Sequence, residues 1–87
     1  MLEEFLNVKV VIDLKTTYVC LGTLVRIDEH FLEIRNADLH DLRDTQTSRE
    51  NYVAASQATG IKRNRRSVVL VRAEMVAISR LEDVVDE

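Results

Sequence analysis

Apolar side chains recur at every second position in the first third of the chain. Over residues 8–14 they alternate with Lys9 and Asp13, and a similar alternation follows over residues 18–28. Because successive side chains of a β-strand point to opposite faces, a period of two predicts strands with one buried face, whereas a helix has a period of about 3.6. We therefore predict two strands here and a third strand at about residues 31–42.

A short run later in the chain is apolar on both faces. Residues 67–71 include four consecutive aliphatic side chains after a serine. Such a continuous run predicts a strand that is covered on both sides. In so small a chain we expect the second cover to come from another subunit. Residues 75–79 form a fifth predicted strand, after a polar break at residues 72–74.

The stretch between the third and fourth strands is polar and rich in alanine, serine and threonine. We define it as an insertion at about residues 43–64. Thr47 or Ser48 is suited to cap a helix there, and Gly60 is suited to end it. The sequence thus predicts a helix over residues 47–59 that projects from one face of the assembly.

Two further features shape the expected backbone. Residues 2–6 have the apolar spacing of one or two helical turns, with two glutamates between the apolar positions. Gly22 lies in the middle of the second predicted strand. A glycine there weakens a strand and typically marks a sharp bend, a bulge or a close backbone contact.

The chain has 87 residues, which predicts one domain over residues 1–87 with an acidic tail at 82–87. A domain of this size is only marginally stable alone, so association is favoured. The formal net charge of −3 argues against nucleic-acid binding by overall charge. Cys20 is the only cysteine, which excludes an intrachain disulfide. The sequence has no apolar run of transmembrane length and no signal-peptide order, so we expect a cytoplasmic protein without membrane contact.

Two segments together resemble the motifs of the Sm and Sm-like (LSm) family. Residues 19–28, VCLGTLVRID, carry the glycine, leucine and aspartate of the first motif at the family spacing. Residues 69–78, VLVRAEMVAI, follow the second motif except that Ala73 stands in place of a glycine. The resemblance covers residues 2–81 apart from the insertion, and it is to a divergent member of the prokaryotic type.

The resemblance implies a mainly β chain with the Sm-like fold. That fold is a short N-terminal helix and a five-stranded, strongly bent antiparallel barrel, here with a helical insertion between strands 3 and 4. In the family, strand 4 of one subunit pairs with strand 5 of the next. The resemblance therefore implies a cyclic homo-oligomer of about five to seven copies, in which the doubly apolar fourth strand finds its cover.

The resemblance also implies a site for single-stranded RNA, usually uridine-rich, around a central pore. His30 matches the residue that stacks on a base, and Arg72 matches the arginine that stacks on the other side. Leu32 stands where an asparagine of the family reads the uracil edge. Stacking without an edge reader holds bases with little discrimination. Glu29 and Glu74 add negative charge beside this site, which weighs against phosphate binding there.

One dense basic cluster follows the predicted insertion helix. Its functional interpretation is phosphate contact on one rim of the ring, repeated in every subunit. A structural interpretation is equally open, in which these side chains are solvated or paired with acids of a neighbouring subunit. The cluster consists of Lys62, Arg63, Arg65 and Arg66.

The sequence contains no recognisable set of catalytic residues. We therefore expect a binding protein rather than an enzyme, without metal or cofactor. The acids and His40 at residues 38–44 follow no known ligand spacing, and Cys20 is expected to be a core or interface residue. Two functions remain open: a ring that binds single-stranded RNA, and an oligomeric scaffold that binds protein. Leu32 and Glu74 favour the scaffold, whereas the basic cluster favours RNA.

Overall fold

The computed structural model describes residues 1–85, which form five strands, one α-helix and several short 3₁₀ turns. The chain is mainly β, as the sequence predicts. The N-terminal segment is a single 3₁₀ turn, Leu2–Phe5. The predicted acidic tail is described as far as Val85, and its last two residues lie outside the described part. The main elements are β1 (Lys9–Leu14), β2 (Tyr18–Ile27), β3 (Phe31–Asp41), α1 (Arg49–Thr59), β4 (Arg65–Val71) and β5 (Met75–Arg80).

All five strands belong to one antiparallel sheet with the order β4-β3-β2-β1-β5. The predicted closed barrel is wrong for the single chain, because within residues 1–85 no ladder joins β4 to β5. The 3₁₀ turn Arg72–Glu74 connects these strands, yet β4 pairs only with β3 and β5 only with β1. A barrel requires a ladder between its first and last strands. The outer edges of β4 and β5 therefore have no paired strand in this part of the chain.

Of the three features that a glycine in mid-strand typically marks, the structure shows a bulge and a close approach of β2 to β3 at Gly22. A Cβ atom added to Gly22 would lie 2.5 Å from Cγ2 of Ile34 and 2.9 Å from the carbonyl oxygen of Arg35. The β2–β3 register breaks between Leu21 and Thr23, and Asn36 on β3 has a left-handed φ of 50°. The bulge at this point lets β3 cross close over a position without a side chain.

Apolar side chains are buried on both faces of the sheet. On one face, Phe5 and Leu6 of the N-terminal segment pack against a cluster of buried apolar side chains. On the other face the sheet is covered by α1 and by the C-terminal segment, through Val53 and Leu81. The period of two explains both layers, because even-numbered residues of β1 enter the first cluster and Val11 enters the second. The first cluster contains Val10, Ile12, Cys20, Leu24, Leu32, Ile34, Ala37 and Leu70.

Helix α1 begins and ends where the sequence predicts. The Ser48 hydroxyl accepts a hydrogen bond from the Asn51 amide at 3.2 Å, and Gly60 follows the helix with a φ of 99°. The helix does not project from the sheet. Val53 is buried against it, and the Arg49 guanidinium lies 3.0 Å from the Asp13 carboxylate on β1. Among the described helices, none has the length and apolar character needed to cross a bilayer.

Candidate functional site

The connection between β2 and β3 is organised by Asp28. Its Oδ1 atom accepts hydrogen bonds from the backbone amides of His30 and Phe31, each at 2.8 Å. These two amide donors hold the pKa of the Asp28 carboxyl below its ordinary value. The aspartate of the first motif thus caps a turn, which is the structural role that its position after a strand predicts.

The second motif meets this turn through Arg72. The Arg72 amide donates to the His30 carbonyl at 2.7 Å, and Nη1 of Arg72 donates to the Asp28 carbonyl at 2.8 Å. The β3–β4 register explains the meeting, because Phe31 pairs with Val71, the residue just before Arg72. His30 and Arg72, which are far apart in the sequence, are therefore adjacent in the structure. The Asp28 carbonyl, as the hydrogen-bond acceptor, sets the orientation of the Arg72 guanidinium.

The His30 side chain lies largely exposed at this turn. Its Nε2 atom is 3.9 Å from a carboxylate oxygen of Glu29, and the Phe31 ring meets it edge-on at a centroid distance of 6.3 Å. An accessible imidazole and a guanidinium anchored to the same turn provide two planar groups suited to stack on a base. The Glu29 carboxylate adds a negative charge beside the imidazole, so the site is not uniformly positive.

Leu32 is not part of this surface. Its side chain is 0% exposed in the core, and it pairs with Leu70 on β4. The position that the resemblance assigns to reading a base edge is therefore occupied by a core side chain. The open part of the site consists of His30 and Arg72, without an adjacent amide group from position 32.

The basic cluster lies at the other end of β4. All four of its side chains are exposed, and Arg65 pairs with Ala37 while Val71 pairs with Phe31. Six residues of extended strand separate the two positions by at most about 20 Å. Within residues 1–85, no carboxylate lies within 4.0 Å of the cluster's cationic groups. The structure does not bring the cluster together with His30 and Arg72.

A buried polar group joins α1 to β3, and no local sequence pattern predicted it. Asp38 is 2% exposed; its carboxylate accepts hydrogen bonds from the Tyr52 hydroxyl and, at 3.3 Å, from the Asn64 amide. Burial, and then the hydrogen bond to Asp38, raise the pKa of the Tyr52 hydroxyl. The His40 ring stacks on Tyr52 at 4.0 Å. This arrangement fixes the insertion helix on the sheet, which is a structural role.

Asp41, another acidic residue of the segment 38–44, is used in local hydrogen bonds. Asp41 accepts hydrogen bonds from the Arg43 guanidinium and from the Thr17 hydroxyl, at 2.7 Å and 2.9 Å. The hydrogen bonds from Arg43 hold the pKa of the Asp41 carboxyl well below its usual range. In the part of the chain that the structure describes, no three histidine, cysteine, aspartate or glutamate side chains are grouped to hold a metal ion.

We expect the Cys20 thiol to be unreactive in the folded protein. Burial, and then the nearby Asp38 carboxylate, raise the pKa of Cys20 from 9.0 to about 12. At alkaline pH near 8, labelling by an aromatic disulfide should be at least about a thousandfold slower than in denaturant, because three pKa units separate the thiolate populations. The Cys20 thiol keeps its proton to a higher pH in the folded protein than in the unfolded protein. Deprotonation therefore favours the unfolded state, and the free energy of unfolding falls as pH rises from 9.0 toward about 12. Rapid native-state labelling would contradict this burial.

Searches with this chain against family models, curated proteins and solved structures found no match.

Proposed function

We propose that this chain is a cytoplasmic, Sm-like, ring-forming module that binds single-stranded RNA in or around a central pore. The observation that supports the proposal most is the contact between the two motifs. The Arg72 backbone amide donates to the His30 carbonyl and the Arg72 guanidinium donates to the Asp28 carbonyl, so both residues lie at the same turn. A binding role suits this surface, because planar cationic and aromatic groups hold nucleobases by stacking.

The open edges of the sheet support the ring. Val69 and Val71 on β4 and Val76 on β5 are each at least half exposed, although they are large aliphatic residues in strands. Unpaired apolar edges favour pairing with another chain, and a head-to-tail contact of β4 with β5 closes into a ring when the rotation allows it. Beside β4 runs an apolar groove of about 310 Å³. Its lining includes Leu14, Tyr18, Leu39 and residues 68–71.

The proposed RNA contact is one of stacking with little choice of base. Leu32 is buried, so no amide at that position is available to hydrogen-bond a base edge. Base stacking on such groups contributes roughly 1–3 kcal/mol per base. The basic cluster would hold the sugar–phosphate backbone at the far end of β4, where phosphate contacts add affinity without reading sequence.

The test is a fluorescence anisotropy titration of uridine and adenine oligomers into the wild type and into His30→Ala and Arg72→Ala. We expect each variant to weaken binding of both oligomers by about five- to a hundredfold, since one stacking contact is lost. Arg80→Ala is the matched control. Its guanidinium also donates to a backbone carbonyl, that of Glu4 at 3.1 Å, but it contacts the N-terminal segment, where it lies over the Phe5 ring, rather than Asp28 or His30.

The controls separate the two parts of the proposal. Removing the four charges of the basic cluster should flatten the salt dependence of binding without changing base preference, because phosphate contacts release counterions but carry no sequence information. A wild type that binds neither oligomer at low salt would refute the RNA function. The oligomeric scaffold would then be favoured, because the apolar groove along β4 and the buried Leu32 suit protein contacts better than base reading.

A further inference from the structure

A polar cleft lies on the face of the sheet that carries α1, away from the β2–β3 turn. It has a volume of about 320 Å³ and is lined by Lys9, Thr23, Asn36, Ile61 and Arg63. Four of these five side chains carry hydrogen-bond donors, and none is a carboxylate. Only Arg63 belongs to the basic cluster, so the cleft is a different feature of the surface.

The fold places these donors together by three separate devices. Lys9 begins β1 and pairs directly with Thr23 on β2, so the two side chains share one face. The bulge opposite Gly22 holds Asn36 in a left-handed conformation at the edge of the same cleft. Nη1 of Arg63 then donates to Oδ1 of Asn36 at 2.8 Å, which fixes the guanidinium over β3.

The donors of the cleft are largely unused. Within residues 1–85, neither Lys9 nor Arg63 forms an ion pair. Asn36 accepts from Arg63 through its oxygen, so its amide nitrogen still has two hydrogens to donate. Glu82 lines a neighbouring cleft together with Lys9, but the two side chains are not paired. Two free cations and two neutral donors thus converge in a chain of net charge −3.

We propose that this cleft binds a phosphate group, held by Lys9 and Arg63 and oriented by Thr23 and Asn36. Arginine and lysine together form strong charge-assisted hydrogen bonds to the oxygens of a phosphate, and the arginine fork is fixed before the ligand arrives. For the identity of the natural ligand the inference rests on the proposed function: the group is one phosphodiester of the bound RNA strand. The cleft then gives that strand a fixed contact beyond the stacking surface.

The first experiment uses inorganic phosphate as the probe and the full chain labelled with ¹⁵N. Titration at constant ionic strength, with chloride as the reference anion, should shift the amides of Lys9, Thr23, Asn36 and Arg63 saturably. Lys9→Ala and Arg63→Ala should each weaken phosphate binding by about three- to tenfold, as expected for the loss of one exposed charge-assisted contact. Lys15→Ala is the matched control, because it removes an exposed lysine at the other end of β1. Shifts equal to those of chloride, or an equal loss in Lys15→Ala, would overturn the phosphate site.

The second experiment replaces phosphate with a uridine oligomer and compares Arg63→Ala with Arg66→Ala. Both remove one exposed arginine of the basic cluster, but only Arg63 lines the cleft. We expect Arg63→Ala to weaken binding at least about threefold more than Arg66→Ala. Equal losses, with His30→Ala still weakening binding, would overturn the strand contact and leave the proposed function standing. Saturable phosphate binding without any RNA binding would refute the proposed function and leave the phosphate cleft standing.

Discussion

Replacing Val69 and Val76 by lysine is expected to prevent the proposed ring from forming and to leave the protein a monomer. Val69 is 57% exposed on the open edge of β4, and Val76 is 65% exposed on the open edge of β5. The proposed ring pairs these two edges, so each interface would bury two ammonium groups. Burying unpaired charge costs several kcal/mol, so the dissociation constant should rise by at least about a hundredfold.

The fold itself should tolerate both substitutions. Neither valine belongs to the core clusters, and Val69 lies opposite Glu33 on β3, which is a favourable neighbour for a lysine. Val85→Lys is the matched control, because Val85 is also an exposed valine but lies outside the sheet. Sedimentation velocity measures the mass, and circular dichroism checks the fold. A wild type that sediments as a monomer at micromolar concentration would be incompatible with the ring.

Replacing Leu32 by asparagine is expected to destabilise the protein strongly. The resemblance places a base-reading amide at this position, but here the side chain is 0% exposed and packs in the core with Leu24, Ile34 and Leu70. Removing the aliphatic side chain and burying an amide without partners should lower the free energy of unfolding by at least about 3 kcal/mol. Leu32→Met keeps the volume and should cost less than about 1.5 kcal/mol.

Denaturant unfolding followed by circular dichroism measures both variants. The two assignments of position 32 lead to opposite results. If Leu32→Asn remains as stable as Leu32→Met and acquires a preference for uridine oligomers, the side chain faces a base pocket rather than the core. Loss of stability in the asparagine variant alone supports the buried position, at which a side chain offers no group to read a base edge.

Local patterns account for the elements that could be predicted. The alternation over residues 8–14 and 18–28 predicts β1 and β2, because a strand that packs one face on a core needs apolar side chains at every second position. Ser48 and Gly60 mark the ends of α1 because capping depends only on neighbouring backbone groups. Asp28 marks a turn for the same reason. The ring, the RNA ligand and the roles of His30 and Arg72 stay predictions.

Long-range relations account for what could not be predicted. The Tyr52 hydroxyl meets the Asp38 carboxylate across fourteen positions of sequence, and no spacing rule connects a helix residue to a strand residue in that way. The same holds for the docking of α1, which the alternation of polar and apolar residues in the insertion did not indicate. Its face is only thinly apolar, so an ion pair to Asp13 and a buried hydrogen bond supplement Val53.

Local sequence patterns were sufficient to predict the strands, the irregular backbone at Gly22, the limits of α1 and the turn at Asp28, because each depends on side chains within a few positions of one another. Local patterns could not show that the sheet of the single chain stays open, that Leu32 lies in the core or that Lys9 and Arg63 line one cleft. These outcomes depend on which strands pair and in which register, and register is set by the packing of the whole sheet rather than by any one segment.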